Sequence, residues 1–453
     1  MFLTARRAHA AHADHTAGHG AAAVLQANVA EGAAAATTPT TGRPAATSGS
    51  KGAATEADAL LITITGGDKP GITAQVAQIL AAAGVELLDV EQVVVHGHLI
   101  LHFLVGLEGA WEHPLLKDLL WRARALGVEI DFDVVPRQTR SLSATGPRRF
   151  AVTLVARELG PAVLASAAEA IASHGFNIDR IERLAQGRLC SIELLLSGDE
   201  SADPRALKAA LVEIEGRTPV DIALQRESLL RRSKRLVVMD MDSTLIQQEV
   251  IDEIARVHGV FAEVAAVTER AMQGEMPFGE ALRQRCALLA GAPESVFATV
   301  LERIELTPGA EHFIRTLQRL GYKTAVVSGG FIQVAEPIRQ QLGLDYAFAN
   351  QLEVIDGKLT GRLIGPIVDR ARKADLLESM AQAERVSLES VIAIGDGAND
   401  LDMLDRAGLG IAFCAKRVVR EAADTAINHR QLDAVLYLLG IRDDDLRAVG
   451  GAG

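Results

Sequence analysis

Three short apolar runs in the C-terminal half of the chain break off abruptly into polar residues. LVVM at 236–239 runs into DMDST, TAVV at 324–327 into SGG, and VIAI at 391–394 into GDGAND. Apolar runs without alternation read as strands covered on both faces, and helical stretches separate these three. The pattern therefore predicts an α/β domain, a parallel sheet with helices on both sides. In such sheets ligands bind beyond the carboxyl ends of the strands. Three ends carrying carboxylates, a hydroxyl and glycines predict one site.

The front half has a different rhythm. A strand at 59–65 ends at GGDKPG, and a helix starts near Pro70, which suits a first helical turn. Strands at 86–95 and 99–107, a helix at 114–126 and a strand at 128–135 complete a βαββαβ unit. The order then recurs: strand 150–156, helix 161–173, strands 177–185 and 189–196, helix 204–213, strand 220–225. Asp89 in LLDVEQ and Asp179 in NIDRIER occupy matching places. This is an internal duplication of a small α+β module. The expected organisation is an arm at 1–57, modules at 58–136 and 148–227, and an α/β domain at 234–440. SLLRRSKR at 228–235 reads as a polar, basic junction.

Composition narrows the functional classes. The formal charge of -12 over 453 residues, with no clustered basic stripe, argues against nucleic acid as a partner. An anionic substrate then needs a metal or a few placed cations. No apolar run reaches the ~18 residues of a membrane span. Cys190, Cys286 and Cys414 are too few and too scattered for a disulfide framework or a zinc site, so they read as buried thiols in a cytoplasmic protein. The arm is rich in Ala, Thr, His and Gly and lacks apolar periodicity. It reads as disordered, with His9, His12, His15 and His19 scattered through it.

The strand tips suggest their own chemistry. Asp240 and Asp242 after a buried strand are costly unless a cation or hydrogen bonds compensate them. Asp396 and Asp400 would bring more negative charge to the same rim, and hard oxygen ligands suit magnesium. A carboxylate can attack phosphorus, and a second can manage the leaving-group proton. Ser328 and the Gly329-Gly330 backbone could hold phosphoryl oxygens. Lys373 could neutralise charge on nucleophile and phosphate.

In this order, DMDST, SGG, Lys373 and GDGANDLDM resemble the four motifs of haloacid dehalogenase-like phosphatases. From about 234 to 438 the chain resembles the phosphoserine phosphatases among them, including QEVIDEIA, RAMQGEMPFGEALRQR, GLDYAFAN and GIAFCAK. The resemblance implies a Rossmann-like fold with a helical cap and hydrolysis of phosphoserine to serine and phosphate. It implies Asp240 as nucleophile and Asp242 as general acid/base. Mg²⁺ would be held by Asp240, the Asp242 carbonyl and Asp396. Asp400 would support the metal shell and Asn399 would orient the phosphoryl site.

The segment at 249–305 is helical, too long for a loop, and a candidate cap. Helical spacing puts Phe278, Leu282, Arg285 and Leu289 on one face, so Arg285 lies in an apolar stripe and Arg283 points away. An Arg so placed either snorkels or awaits an anion. The resemblance assigns it the substrate carboxylate, and assigns Glu249 the substrate ammonium. Spacing alone puts Glu249 on the polar side of its helix. Met272 and Phe278 look like apolar cap residues over the phosphoryl group.

Each front module is similar to an ACT domain, which implies assembly of a homodimer, binding of a serine effector, or both. The candidate effector residues are Asp68, Gly71 and Asp89 in the first module and Gly160 in the second. The second module lacks the Asp-x-Pro-Gly pattern. Two rival functions keep parts of this reading: a phosphotransferase to another alcohol such as homoserine, and an amino-acid sensor with an inactive phosphatase domain.

Overall fold

The computed structural model describes residues 58–106, 113–136 and 148–450. The arm at 1–57, with its four histidines, and the end of the strand expected at 99–107 lie outside the described residues. The chain divides into two compact units, Met1–Ser141 and Leu142–Gly453.

The first unit holds one module: β1 (Asp58–Gly67), α1 (Ile72–Ala82), β2 (Glu86–Val95), β3 (His98–Gly106), α2 (Leu115–Leu126) and β4 (Glu129–Pro136). Its antiparallel sheet runs β2-β3-β1-β4. Alternation along β1 turns Leu60, Ile62 and Ile64 into a core with Ile72, Val76 and Leu80 of α1 and Leu115 and Leu119 of α2. Gly66 has to be small, because a Cβ there would lie 2.9 Å from Val128 Cγ1.

The second unit opens with the repeated module: β5 (Arg148–Ala156), α3 (Pro161–Ser173), β6 (Phe176–Gln186), β7 (Cys190–Gly198), α4 (Pro204–Glu215) and β8 (Asp221–Arg226), ordered β6-β7-β5-β8. Val152, Leu154 and Ala156 face the module's own helices. Val155 and Ala223, with Leu189 of the β6–β7 turn, instead join the large core of the following domain. The polar residues Thr153, Ser191, Glu193, Asp221 and Gln225 are buried too. Asp221 accepts hydrogen bonds from Asn428 N (2.9 Å), Asn428 Nδ2 (2.9 Å), His429 N (3.1 Å) and His429 Nδ1 (2.7 Å). Gln225 Nε2 donates to the Leu438 carbonyl at 2.9 Å.

The junction differs from its sequence reading. Leu229–Arg232 forms a short helix, α5, and Arg231 is only 3 % exposed. Its guanidinium pairs with Glu193 and, at 2.8 Å, with Glu227. A basic run looks solvated in sequence, yet one Arg of it is held inside by two carboxylates.

The rest is a seven-stranded sheet with helices around it. Its elements are β9 (Leu236–Met239), α6 (Val250–His258), α7 (Phe261–Met272), α8 (Phe278–Leu288), α9 (Val296–Leu301), α10 (Ala310–Arg319), β10 (Lys323–Phe331), α11 (Ile332–Leu342), β11 (Tyr346–Ile355), β12 (Lys358–Ile364), α12 (Arg370–Ala383), β13 (Val391–Gly395), α13 (Leu401–Arg406), β14 (Leu409–Phe413), α14 (Arg417–Ala422), β15 (Thr425–Ile427), α15 (Val435–Leu438) and α16 (Asp443–Gly450). The order is β12-β11-β10-β9-β13-β14-β15. All neighbours are parallel except β11 and β12, an antiparallel edge pair. β9 is flanked by β10 and β13, with Met239 opposite both Val326 and Ile394. That order brings the three polar strand ends side by side. Helices α6 to α9 make up the segment expected as a cap.

Candidate active site

The chain leaves β9 through Asp240 and makes an irregular turn over Met241–Leu245, in which Ser243 is left-handed (φ 58°). Asp240 is 3 % exposed, and its Oδ1 accepts from Met241 N at 2.7 Å and from Lys373 Nζ at 2.8 Å. Lys373 reaches it from the first turn of α12, is fully buried, and also binds Asp400 Oδ1 at 2.7 Å. Asp242 accepts from Val250 N (3.0 Å) and Ser328 Oγ (3.2 Å), and Gly330 N donates to the same Ser328 oxygen at 2.8 Å.

The glycines of the motifs make room for these carboxylates. A Cβ on Gly330 would lie 2.6 Å from Asp242 Oδ2, one on Gly395 would lie 2.4 Å from the Asp400 carboxyl carbon, and one on Gly397 would meet Asn399 Oδ1. Asp400 Oδ2 accepts from Gly397 N at 3.0 Å, and Thr244 Oγ1 donates to Asp396 Oδ1 at 3.1 Å. One oxygen each from Asp240, Asp396 and Asp400 lies within 4.8 Å of the others.

Burial, and after it the crowding of like charge, shifts the carboxyls of the site upward. Burial, then the Asp400 charge, pushes Asp240 well above the usual carboxylate range, against the pull of Lys373. Burial, then Glu249, raises Asp242 to about 7. Burial, then Asp400 and Glu249, raises Asp396 to about 7. Burial pulls the Lys373 ammonium down, but Asp240 and Asp400 overcome it and hold the group above its ordinary value.

The cap supplies the other expected residues. Arg285 on α8 is half-buried, and its buried Nε has no hydrogen-bond partner. Leu282 and Leu289 are buried beside it on the helix while Arg283 is exposed, as the spacing predicts. Glu249 departs from its sequence reading. It is the N-cap of α6, extended at φ -96° and ψ 115°, and accepts from Ser243 Oγ at 2.9 Å. An N-cap side chain is freed from the helical wheel, so the polar-face argument does not apply to it. Met272 is 66 % and Phe278 37 % exposed, too open for core residues. The Phe278 ring reaches 3.4 Å from where a Cβ on Gly329 would be.

The front-module candidates are less assembled. Gly71 is the left-handed N-cap of α1 (φ 93°), Asp68 N donates to the Gly97 carbonyl at 2.8 Å, and Asp89 Oδ1 accepts from Val90 N at 2.8 Å. Gly160 caps α3 in an extended conformation that any residue adopts. Of the cysteines only Cys286 is fully buried; Cys190 and Cys414 are half-buried, and all three are free.

Residues 237–405 match the haloacid dehalogenase-like hydrolase family, and 58–133 and 149–225 each match an ACT domain. A relative from Streptomyces coelicolor, named phosphoserine phosphatase, is 48% identical over 401 residues, or 86% of this chain and 94% of that one. The chain belongs to the phosphoserine phosphatase family. A second phosphoserine phosphatase, from Mycobacterium tuberculosis, is 42% identical over 391 residues, 86% of this chain and 95% of its own. A solved haloacid dehalogenase family hydrolase from Salmonella enterica superposes with a TM-score of 0.58 at 29% identity, covering 64% of this chain and 98% of that one.

As a member of the phosphoserine phosphatase family the chain is a phosphatase. Its acidic cluster fits a divalent cation, since oxygens from three carboxylates converge and burial holds Asp240 and Asp396 above their ordinary range. The carboxylate of Asp242 is outside that cluster, committed to Val250 and Ser328. Two residues that sequence reasoning left without a role stand in the site. Thr244 lies within DMDST, where its hydroxyl could have been flagged. Asn350 closes GLDYAFAN, and nothing local to that run points to the site.

Proposed function

We propose that this phosphatase hydrolyses O-phospho-L-serine to L-serine and phosphate in the cytoplasm, the last step of serine biosynthesis. The observation that carries the reading is Arg285: a buried guanidinium Nε without a partner, on the cap of a site built for a phosphoryl group. A substrate carboxylate would satisfy it bidentately, whereas a phosphate ester lacking one would leave it orphaned. Glu249, the N-cap of α6, carries the charge to receive the substrate ammonium. The names of the relatives support the same substrate.

In this reading Asp240 attacks phosphorus, and the bond from phosphorus to the serine oxygen breaks. Asp242, raised to about 7 by burial and then by Glu249, gives its proton to the departing oxygen. It then takes a proton from the water that attacks the aspartyl-phosphate, returning Asp240 and free phosphate. Lys373 holds the Asp240 carboxylate in place, Ser328 and the Gly329 backbone receive phosphoryl oxygens, and Asn399 is assigned to orient them. Phe278 and Met272 shield the phosphoryl group from solvent. Asp240, the Asp242 carbonyl and Asp396 would hold Mg²⁺, which when bound supplies charge neutralisation at phosphorus, with Asp400 as support.

The first ACT domain is assigned serine sensing and homodimer formation. Support comes from the left-handed Gly71 at the start of α1 and from Leu87, Val90, Val93, Val94 and Val95, all exposed on β2. The test of the substrate is Arg285→Ala assayed on phosphoserine and on p-nitrophenyl phosphate, which has no amino-acid carboxylate. A loss of about 10²-fold or more in kcat/KM confined to phosphoserine is expected, from removal of a charge-assisted bidentate contact. Equal losses on both esters would remove Arg285 from recognition. Release of phosphate without an added alcohol would argue against the transferase rival.

A further inference from the structure

The polar tip of β10 is not held by the sheet. Val327 pairs with Phe348 and the next registered pair is Phe331 with Asn350, so four steps along β10 are matched by only two along β11. Ser328, Gly329 and Gly330 therefore bulge out of the ladder, and a bulge leaves backbone groups without strand partners. Gly330 N finds one in Ser328 Oγ at 2.8 Å. The carbonyl of Gly329, in the same peptide group as Gly330 N, finds another in the Asn350 side chain, whose Nδ2 donates to it at 2.7 Å. The other end of that carboxamide, Oδ1, accepts from Val368 N at 2.8 Å. Val368 lies just before Asp369, the N-cap of α12, whose first turn carries Lys373.

We infer that Asn350 is a positioning residue for phosphoryl binding: its carboxamide fixes the Gly329–Gly330 peptide and ties it to the approach of the helix that delivers Lys373. The inference rests on the phosphatase reading of that site, though not on phosphoserine as its substrate. Asn350 is 2 % exposed, so neither bond is replaced by water while the fold is intact. Its side chain touches no carboxylate of the acidic cluster through a hydrogen bond; it acts through backbone at two of the motifs. Aspartate at 350 would keep an acceptor for Val368 N but set a second acceptor against the Gly329 carbonyl. The bulge would then be free to turn its amide groups away from the phosphoryl position.

The test compares Asn350→Asp and Asn350→Ala with the parent full-length chain. Steady-state kinetics on phosphoserine and p-nitrophenyl phosphate, inhibition by inorganic phosphate and the Mg²⁺ activation constant are measured, with melting temperature recorded to count folded enzyme. We expect kcat/KM to fall by at least about tenfold, equally on both esters, with the phosphate inhibition constant rising and the Mg²⁺ constant unmoved. A purely structural role would lower the melting temperature and leave the kinetic and inhibition constants of the folded fraction where they were, which overturns the inference. If Asn350→Asp does not fold, Asn350→Ala, which leaves room for water at both backbone groups, carries the same expectation. Should the parent cleave p-nitrophenyl phosphate but not phosphoserine, the substrate assignment fails while the role of Asn350 is still decided.

Discussion

Replacing Lys373 with Met should destabilise the second unit and do so in a pH-dependent way. The ammonium is fully buried, 2.8 Å from Asp240 and 2.7 Å from Asp400, whose side chains are 5% and 0% exposed. Methionine fills the stem's volume but leaves two buried carboxylates facing each other. Removing one partner of a buried ion pair costs about 3–5 kcal/mol. At roughly 2–4 °C per kcal/mol for a domain of this size, the melting temperature should drop by about 6–20 °C at pH 8 without metal. Asp240 sets the sign of the pH effect. Burial and Asp400 already hold its folded pKa above the unfolded one, and loss of Lys373 lifts it further. A group raised in this way adds stability below its unfolded value, near 4, and loses it as pH rises through the folded value. The deficit of the variant should therefore be small at pH 5 and grow toward pH 8. Thermal unfolding followed by circular dichroism at both pH values measures it, with the exposed Lys358→Met as surface control. A Lys373→Met variant melting within about 2 °C of the parent at pH 8 would refute the argument.

Chelation with excess EDTA should abolish phosphate release and lower the melting temperature, and added Mg²⁺ should restore both. Undiminished turnover in chelator would contradict the proposed use of the acidic cluster. His429 gives a test at the contact between the second ACT domain and the catalytic sheet. Its hydrogen bond to Asp221 raises its pKa against an opposing effect of burial. The stabilisation is thus fully present below the unfolded value of about 6.5 and lost as pH rises through the folded one. His429→Gln should flatten the change in melting temperature between pH 6 and pH 8.5. An unchanged pH profile in that variant would mean that this pair does not couple to folding.

Much of this was readable in the sequence because the catalytic strands are buried on both faces and end sharply. LVVM, TAVV and VIAI, separated by helical stretches, read as central strands, and the residues after them then meet at one rim. The spacing of Leu282, Arg285 and Leu289 likewise survives in α8 and its C-cap. What was not readable depends on contacts distant in sequence. Glu249 escapes helical periodicity by being a cap. Arg231 looked solvated until the fold surrounded it with Glu193 and Glu227. The outer face of the second ACT sheet carries Thr153, Glu193 and Asp221, polar residues that are nevertheless buried, Asp221 against Asn428 and His429. Asn350 shares no local pattern with the motifs it ties together; only the bulge in β10 reveals what its carboxamide is for.

The proposed mechanism turns on a covalent bond between phosphorus and one carboxylate. Rapid acid quench of the Mg²⁺-loaded enzyme during turnover of phosphoserine, followed by peptide mass spectrometry, looks for that bond. One added phosphoryl group is expected on the peptide containing Asp240, absent from Asp240→Asn. Turnover with no phosphorylated peptide under any quench time, or the label on another residue, would contradict it.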